Sequence, residues 1–544
     1  MTLDELIAWV DIAMERLPRS RAKRDRVGHL RRLYRILDEQ GCDWELRREW
    51  HALAIKLAKL LGEPEPASPS PPSSKAARPR KPPTASPNRF QSSKWSGPAR
   101  KRRRRLAAKP EREPIEINPR LQSAFDAVAA GRQILFVTGG AGTGKSTFIR
   151  ELRARHPEKR SVVLAPTGVA ALTAGGQTIH SFCRLPLRPV LPEDAQDAED
   201  PDLVKAIDLM IIDEISMVRA DILDGVDAFL RRNRKSDRPF GGVQLVLVGD
   251  LFQLPPVVTS RDAELIGQRY ASPYFFSAHS LRGLTFFPVE LEIVYRQRDA
   301  SFASLLAAIR DGDGVSDAVR AINERCIGRA IEGQHLILVP TRKAAAMENE
   351  ARLAELKAKP RTFDAACTGS FITAGEDRLP APPRLVLKVG AQVMFVRNDG
   401  PERRWVNGTT GIVTSLRTDA IGVRLEDGSE HEVERTEWQD IRYAFDAKAK
   451  TIAEEIAGTY VQFPLIPAWA VTIHKAQGLT LSRVMVDLDR GAFAEGQVYV
   501  ALSRCQTIEG LSLRRAVRAS EVRCSEAARS FYERIRASRR TQPT

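Results

Sequence analysis

Apolar positions change their period several times along this chain, and each change marks a boundary. Over residues 1–63 they recur at helical spacing: Leu3, Ile7, Val10, Met14 and Leu17, then Leu30, Leu33 and Leu37, then Trp50, Leu53, Leu57 and Leu60 before Gly62. Three short amphipathic helices follow from that spacing, the first opened by a Thr2/Glu5 capping pair. So few apolar residues make a marginal core, so this N-terminal helical module is expected to dock or to bind a protein partner. Over residues 64–113 the periodicity disappears into Pro, Ser, Ala and basic residues, a composition that predicts a disordered linker.

From Glu116 onward, short apolar runs alternate with helical stretches, the pattern of an α/β fold with a parallel sheet. Strands are predicted at 133–138, 161–165, 208–213 and 244–249, within a first domain over 114–294. A second α/β domain, 295–384 and 463–515, opens with Leu336–Val339 and resumes at Ala470–Thr472 and Val484–Asp487. Between its halves, residues 385–462 read as a small inserted β-barrel. Its predicted strands are Leu385–Lys388, Gln392–Val396, Gly411–Leu416 and a hairpin across Val423–Val433 that turns at Asp427-Gly428. Residues 516–544, rich in Arg, are expected to form a surface helix and tail.

Length supports this division, since 544 residues exceed what one core can organise. No apolar run approaches a membrane span, and the N-terminus lacks the layout of a secretory leader. The six cysteines stand singly, with no C-x-x-C pair, so neither structural zinc nor disulfides are expected. Charge changes the picture more. Of the formal +16, residues 64–113 carry +11, from 14 Lys/Arg against 3 Glu, with Lys101–Arg105 the densest run. That segment reads as a tether for DNA or RNA, as a nuclear-import signal, or as a solvated spacer. The compartment follows the organism: cytoplasmic and DNA-associated in a bacterium, nuclear in a eukaryote.

The candidate chemistry begins at Gly139, Gly140, Ala141, Gly142, Thr143, Gly144, Lys145 and Ser146, with Thr147 following, between an apolar strand and a helical stretch. This is the phosphate-loop pattern. Glycines free the backbone N–H groups to wrap the phosphates, Lys145 reaches the β/γ oxygens, Ser146 ligates Mg²⁺, and the helix N-terminus adds its dipole. ATP and Mg²⁺ are the cofactors this predicts. Leu209–Ile212 then delivers Asp213 and Glu214 at a strand end: Asp213 is placed for the metal and Glu214 as base for the attacking water. The next strand ends before Gln253, an amide in reach of the γ-phosphate that can report its presence.

Taken together, Asp213-Glu214-Ile215-Ser216-Met217 and Gly249-Asp250-Leu251-Phe252-Gln253-Leu254-Pro255-Pro256 resemble superfamily 1 DNA helicases of the Pif-one (petite integration frequency) and RecD-like group. The remaining motifs occur in order: Ala165–Ala171, Thr178–Phe182, Ser216–Arg232, Tyr295-Arg296-Gln297, Val471–Gly478 and Gln497–Arg504. The likeness spans about residues 116–510. It implies two RecA-like parallel-sheet domains around an ATP cleft, with Arg296 and Arg504 as arginine fingers across it. It also implies single-stranded DNA and forks as partners, contacted by Pro166, Thr167, Thr178, His180 and Ser181 on one domain and by His474, Lys475 and Gln477 on the other. The family's adenine-reading glutamine corresponds to Gln122, one residue short of the usual spacing to Gly131. Its strand-separating wedge corresponds to a short stretch near 183–207. Phe182 and Trp405 are open between base stacking and core packing.

The implied activity is 5′→3′ translocation on single-stranded DNA with duplex unwinding, by a monomeric motor serving replication, repair or recombination. The short wedge keeps a translocase with little strand separation as an alternative. An ATP-switched binding module is a third reading, against which stands the full set Glu214, Gln253, Arg296 and Arg504.

Overall fold

The computed structural model describes residues 118–540 apart from Arg261, Arg298, Gly400, Pro401, Arg403 and Arg490; the N-terminal helical stripes and the basic segment lie outside the described residues. Helix α1 (Pro119–Ala129) starts where the Asn118 side chain accepts the Leu121 N–H and Pro119 fills the first turn. Six strands follow: β1 (Ile134–Gly139), β2 (Ser161–Ala165), β3 (Gln177–Thr178), β4 (Leu209–Ile212), β5 (Gln244–Gly249) and β6 (Phe286–Leu291). They form one sheet in the order β3-β2-β4-β5-β1-β6, every pair parallel. All residues of β1, β4 and β5 are buried, because helices cover both faces. One face carries α1 and α2 (Lys145–Arg155), packed through Phe125, Phe148 and Leu152. The other carries α4 (Ala220–Arg234), packed through Leu223, Val226 and Phe229, while the short α3 (Gly168–Ala174) follows β2. Strands continuous in apolar character are the easiest to read, and these match the predicted spans to within a residue.

The second α/β unit opens with α5 (Ala300–Asp311), β7 (Leu336–Val339) and α6 (Arg342–Glu355), then gives way to a β-rich insertion. Its strands are β8 (Arg361–Asp364), β9 (Ala366–Cys367), β10 (Arg384–Leu387), β11 (Gln392–Phe395), β12 (Thr410–Leu416), β13 (Ala420–Leu425), β14 (Glu430–Glu434), β15 (Thr436–Asp446), β16 (Thr451–Gln462) and β17 (Leu465–Pro467). An antiparallel ladder β14-β13-β12-β11-β17 packs with the β8–β10 pair around Phe363, Leu385, Val393, Phe395 and Phe463. The insertion is thus wider than residues 385–462. β8 has one buried side chain, Phe363, among Arg361, Thr362 and Asp364, and leaves no apolar run to recognise.

The chain returns with β18 (Ala470–Thr472), β19 (Val484–Val486), α7 (Gln497–Leu502), β20 (Leu511–Leu513) and α8 (Glu526–Arg540). The second sheet runs β18-β7-β19-β20, again parallel.

Two elements cross between the α/β units. The β15–β16 hairpin reaches the first: the Tyr443 hydroxyl accepts the Val163 N–H at 3.0 Å, Phe445 N–H donates to Asp200 at 2.8 Å, and Arg442 pairs with Glu199 at 2.8 Å. The terminal helix α8 also lies on the first unit, with Phe531, Tyr532 and Ile535 buried there and Phe531 stacked on Phe276 at 4.4 Å. It is a surface helix whose apolar face is packed and whose other face, with Arg534 and Arg536, is exposed. Phe182 and Trp405 both go to the core: Phe182 packs edge-on to Phe229 and Tyr443, and Trp405 stacks on Phe395.

Candidate active site

The carboxyl ends of β1, β4 and β5 put the phosphate loop, the acid pair and Gln253 in one crevice, where a parallel sheet collects its ligands. Gly144 caps α2 at φ 90°, a left-handed backbone that glycine tolerates, and leaves the helix N-terminus bare for phosphate. Lys145 folds over the loop, its ammonium donating to the Gly139 and Gly140 carbonyls at 2.8 Å each. Burial lowers its pKa, against the opposing pull of Asp250 and Glu214. Ser146 lies exposed beside it, Thr147 is half-buried, and Thr143 Oγ1 closes the loop onto the Gly140 carbonyl.

The acid pair is held by a strained step. Glu214 has φ 51° and ψ 44°, a left-handed conformation uncommon outside glycine, and its N–H is tied to Asp213 Oδ1 at 2.9 Å. Burial and then Asp213 beside it push the Glu214 carboxyl up to about 7, and burial raises Asp213 as well. Both suit a site built to receive cations.

The second α/β unit supplies the other wall. Arg296 donates to Thr480 Oγ1 at 3.0 Å and to the Gly478 and Ser503 carbonyls; Arg504 donates to the Val500 carbonyl at 2.8 Å and to Ser503 Oγ at 2.8 Å. These partners are neutral carbonyl and hydroxyl oxygens. Burial, then the neighbouring Arg296, lowers the Arg504 pKa to about 9, and among the described residues its hydrogen-bond partners include no carboxylate. A polyanion such as a triphosphate fits that donor set, with Lys145, Arg296 and Arg504 converging from two domains.

Gln477 comes as a surprise. The sequence places it toward DNA, whereas its amide crosses the cleft to Glu214 Oε2 at 3.1 Å and Gln253 Oε1 at 3.3 Å. Two tyrosines lie within the motifs but were assigned no role there: the Tyr499 hydroxyl accepts the Ala141 N–H at 2.9 Å, and Tyr295 has an exposed ring beside Gly144. Gln122 stands apart, its amide donating to Asp126 one turn along α1.

The DNA-facing candidates form two groups. Thr167 and Thr178 cap the helices that follow them through the Ala170 and Ser181 N–H groups, at 3.2 Å each, leaving Thr167 and Ser181 exposed and Pro166 half-buried. His180 is half-buried beside Arg219 and Arg378, and its pKa is lowered by burial and then by those cations. On the second unit, His474 and Lys475 share a surface with Arg342; partial desolvation, then Arg342, lowers both. Thr341 caps α6 through Ala344 as Thr167 caps α3. The signal for that match was in the sequence: Leu338-Val339-Pro340-Thr341 repeats Leu164-Ala165-Pro166-Thr167.

Two parallel-sheet domains that close arginines over a phosphate loop define a nucleotide-driven motor ATPase. The PIF1-like helicase family model matches residues 117–319, and that of the DNA helicase Pif1 2B domain matches residues 378–416. The ATP-dependent DNA helicase Pif1 of Bdellovibrio bacteriovorus is 35% identical over 407 residues, 73% of this chain and 88% of that protein. Human ATP-dependent DNA helicase PIF1 is 35% identical over 431 residues, 76% of this chain and 63% of that protein. Bacteroides Pif1 in complex with ADP-AlF4 superposes with a TM-score of 0.72 at 34% identity, over 78% of this chain and 98% of that one. The ssDNA-bound Bacteroides structure gives 0.58 at 35% identity over the same shares. The chain belongs to the PIF1-like helicase family. It is accordingly an ATP-dependent DNA helicase.

Proposed function

We propose that this helicase moves 5′→3′ on single-stranded DNA, driven by Mg²⁺-ATP held between its two RecA-like domains, and opens duplexes or forks ahead of it. The carrying observation is the cross-cleft constellation: Lys145, Glu214 and Gln253 on one wall against Arg296, Arg504 and Gln477 on the other. Ser146 and Asp213 would hold the metal, which would offset phosphate charge when bound. Glu214 takes the proton of the attacking water, Gln253 aligns it, and the two arginines neutralise the transferring phosphoryl group. The Tyr295 ring is the stacking surface offered to the base. ATP draws the domains together through the arginines, and its hydrolysis lets them part.

Single-stranded DNA runs over Pro166, Thr167, Thr178, His180 and Ser181 and then over His474, Lys475 and Arg342. These are short polar and cationic groups suited to backbone contacts without sequence preference. The basic segment before residue 114 adds a sequence-independent tether, and the N-terminal helices a place for a protein partner. The higher likeness to the ADP-AlF4 complex than to the ssDNA-bound Bacteroides structure supports reading this arrangement as one that precedes strand engagement.

The test is unwinding of two partial duplexes that differ only in a 5′ or a 3′ single-stranded tail, with Glu214→Gln in parallel. ATP-dependent opening of the 5′-tailed substrate alone, abolished in the variant, is the expected result; opening of the 3′-tailed one refutes the polarity. A second reading, translocation with little strand separation, is favoured by the wedge region, which holds one 3-10 turn (Pro192–Asp194) and a six-residue helix (Pro201–Ala206). DNA-stimulated hydrolysis with neither duplex opened selects it.

A further inference from the structure

Behind the catalytic face lies an ion pair that none of the assigned roles uses. Arg310, on α5 of the second α/β unit, sends Nε and Nη2 to a single oxygen, Oδ1 of Asp250, at 3.2 and 3.1 Å. Asp250 is fully buried at the end of β5, and the Arg310 side chain is 9% exposed. The guanidinium is enclosed by the Phe252 ring at 4.7 Å and the Tyr532 ring of α8 at 5.5 Å, while Nη1 pairs with Asp311 at 2.9 Å. A buried pair of this kind is weak evidence for stability, because desolvation offsets much of the attraction. Its position suggests another use.

The other carboxylate oxygen of Asp250 accepts the Gln253 side-chain N–H at 3.2 Å. An amide with its NH₂ so engaged has its carbonyl turned the opposite way, and Gln253 Oε1 accepts from Gln477, which also donates to Glu214. A continuous line therefore runs Arg310, Asp250, Gln253, Gln477, Glu214, crossing from the second unit to the first, back to the second, and to the first again. Asp250 Oδ1 also accepts the Phe252 N–H at 3.3 Å, and the added two-nitrogen grip of Arg310 on that oxygen holds Oδ2 toward the Gln253 amide.

We propose that Arg310 is a positioning residue for ATP hydrolysis: seated on Asp250, it fixes the amide orientation of Gln253 and with it the water-aligning pair Gln253/Glu214. Because Arg310 belongs to the second unit, the catalytic amide is oriented only while α5 rests against β5. Domain seating is thereby felt at the hydrolytic centre through a contact separate from the arginine fingers. The inference rests on the roles proposed above for Glu214 and Gln253.

The experiment measures single-turnover ATP hydrolysis with single-stranded DNA, and equilibrium binding of a non-hydrolysable ATP analogue, on the full chain. The variants are Arg310→Lys, Asp250→Asn, Gln253→Ala and the double variant Arg310→Lys/Gln253→Ala, with Glu214→Gln alongside. Lysine keeps the charge without the two-nitrogen grip; asparagine keeps the shape and presents an NH₂ that turns the Gln253 amide over. Either change is expected to slow hydrolysis by about a hundredfold, the cost of a misplaced catalytic group, with analogue affinity held within about threefold. In the Gln253→Ala background the lysine change is expected to add less than about twofold, since it acts through that amide. Multiplying losses in the double variant, or a parallel loss of nucleotide affinity, overturns the proposal and leaves a structural ion pair. Should Arg310→Lys fail to fold, wild-type hydrolysis by Asp250→Asn overturns it equally. Hydrolysis at the wild-type rate in Glu214→Gln would sink the base assignment instead, a separate failure.

Discussion

At Glu214 a single backbone torsion and a single burial decide how the cleft works. The residue has a left-handed φ of 51°, its carboxylate accepts from Gln477, and enclosure, then the neighbouring Asp213, raises its pKa to about 7. A general base must be ionised to act, and for a raised carboxyl that form disappears as pH falls through the folded value. We therefore expect kcat/KM for ATP to be flat above about pH 7 and to fall about tenfold per unit below it. The residual activity of Glu214→Gln should lack that limb; an identical acid limb in the variant would assign the titration elsewhere. The acid pair was legible in the sequence because an apolar strand ending in Asp-Glu after a phosphate loop has few other readings. The torsion was not, since nothing in Asp213-Glu214-Ile215 marks a positive φ at a residue other than glycine.

Among the elements, α7 carries the strictest geometric demand. Its N-terminal Gly496 has φ 67°, and a Cβ there would stand 2.2 Å from the Gln253 carbonyl oxygen and 2.5 Å from that of Phe252. The helix that bears Tyr499 and leads to Arg504 thus touches the β5 loop through bare backbone. Gly496→Ala should destabilise the closed pairing of the domains by at least about 1 kcal/mol, from torsional strain alone, before the clash is counted. We expect at least a tenfold loss of kcat with single-stranded DNA affinity preserved, measured by steady-state hydrolysis and by anisotropy of a labelled oligonucleotide. Wild-type kcat would mean the contact yields without consequence. From sequence, Gly496 was an unremarkable residue before a motif. The β15–β16 hairpin was equally obscure, because its alternation is broken and only Trp438, Tyr443 and a few residues of β16 are buried.

For the whole molecule, the chain divides after residue 106, and residues 107–544 contain both sheets and the insertion. Most of the basic segment precedes that division. Removing residues 1–106 should leave ATP hydrolysis at saturating DNA unchanged while weakening DNA binding. The log–log dependence of affinity on salt should become shallower by about 0.7 for each phosphate that the segment neutralises. A series of binding isotherms at rising salt decides the matter, and an unchanged slope would reduce the segment to a spacer. The placement of α8 belongs to this scale too. The chain leaves the second unit and finishes on the first, so Tyr532 and Arg536 meet Glu290 of β6 while Arg529 holds the carbonyl of Asp311 on α5.

The α/β class, the phosphate loop, the acid pair and the order of motifs were all readable from local pattern. Each rests on neighbours in the chain: a buried parallel strand is an unbroken apolar run, and a phosphate loop must have its glycines in a fixed local order. Which side chains face one another across the cleft was decided by folding alone. Gln477 on Glu214, Tyr499 on Ala141 and Arg310 on Asp250 join positions 60 to 358 residues apart. Such pairings leave no period or spacing in the sequence, because they arise where two separate sheets and their helices come to rest against each other.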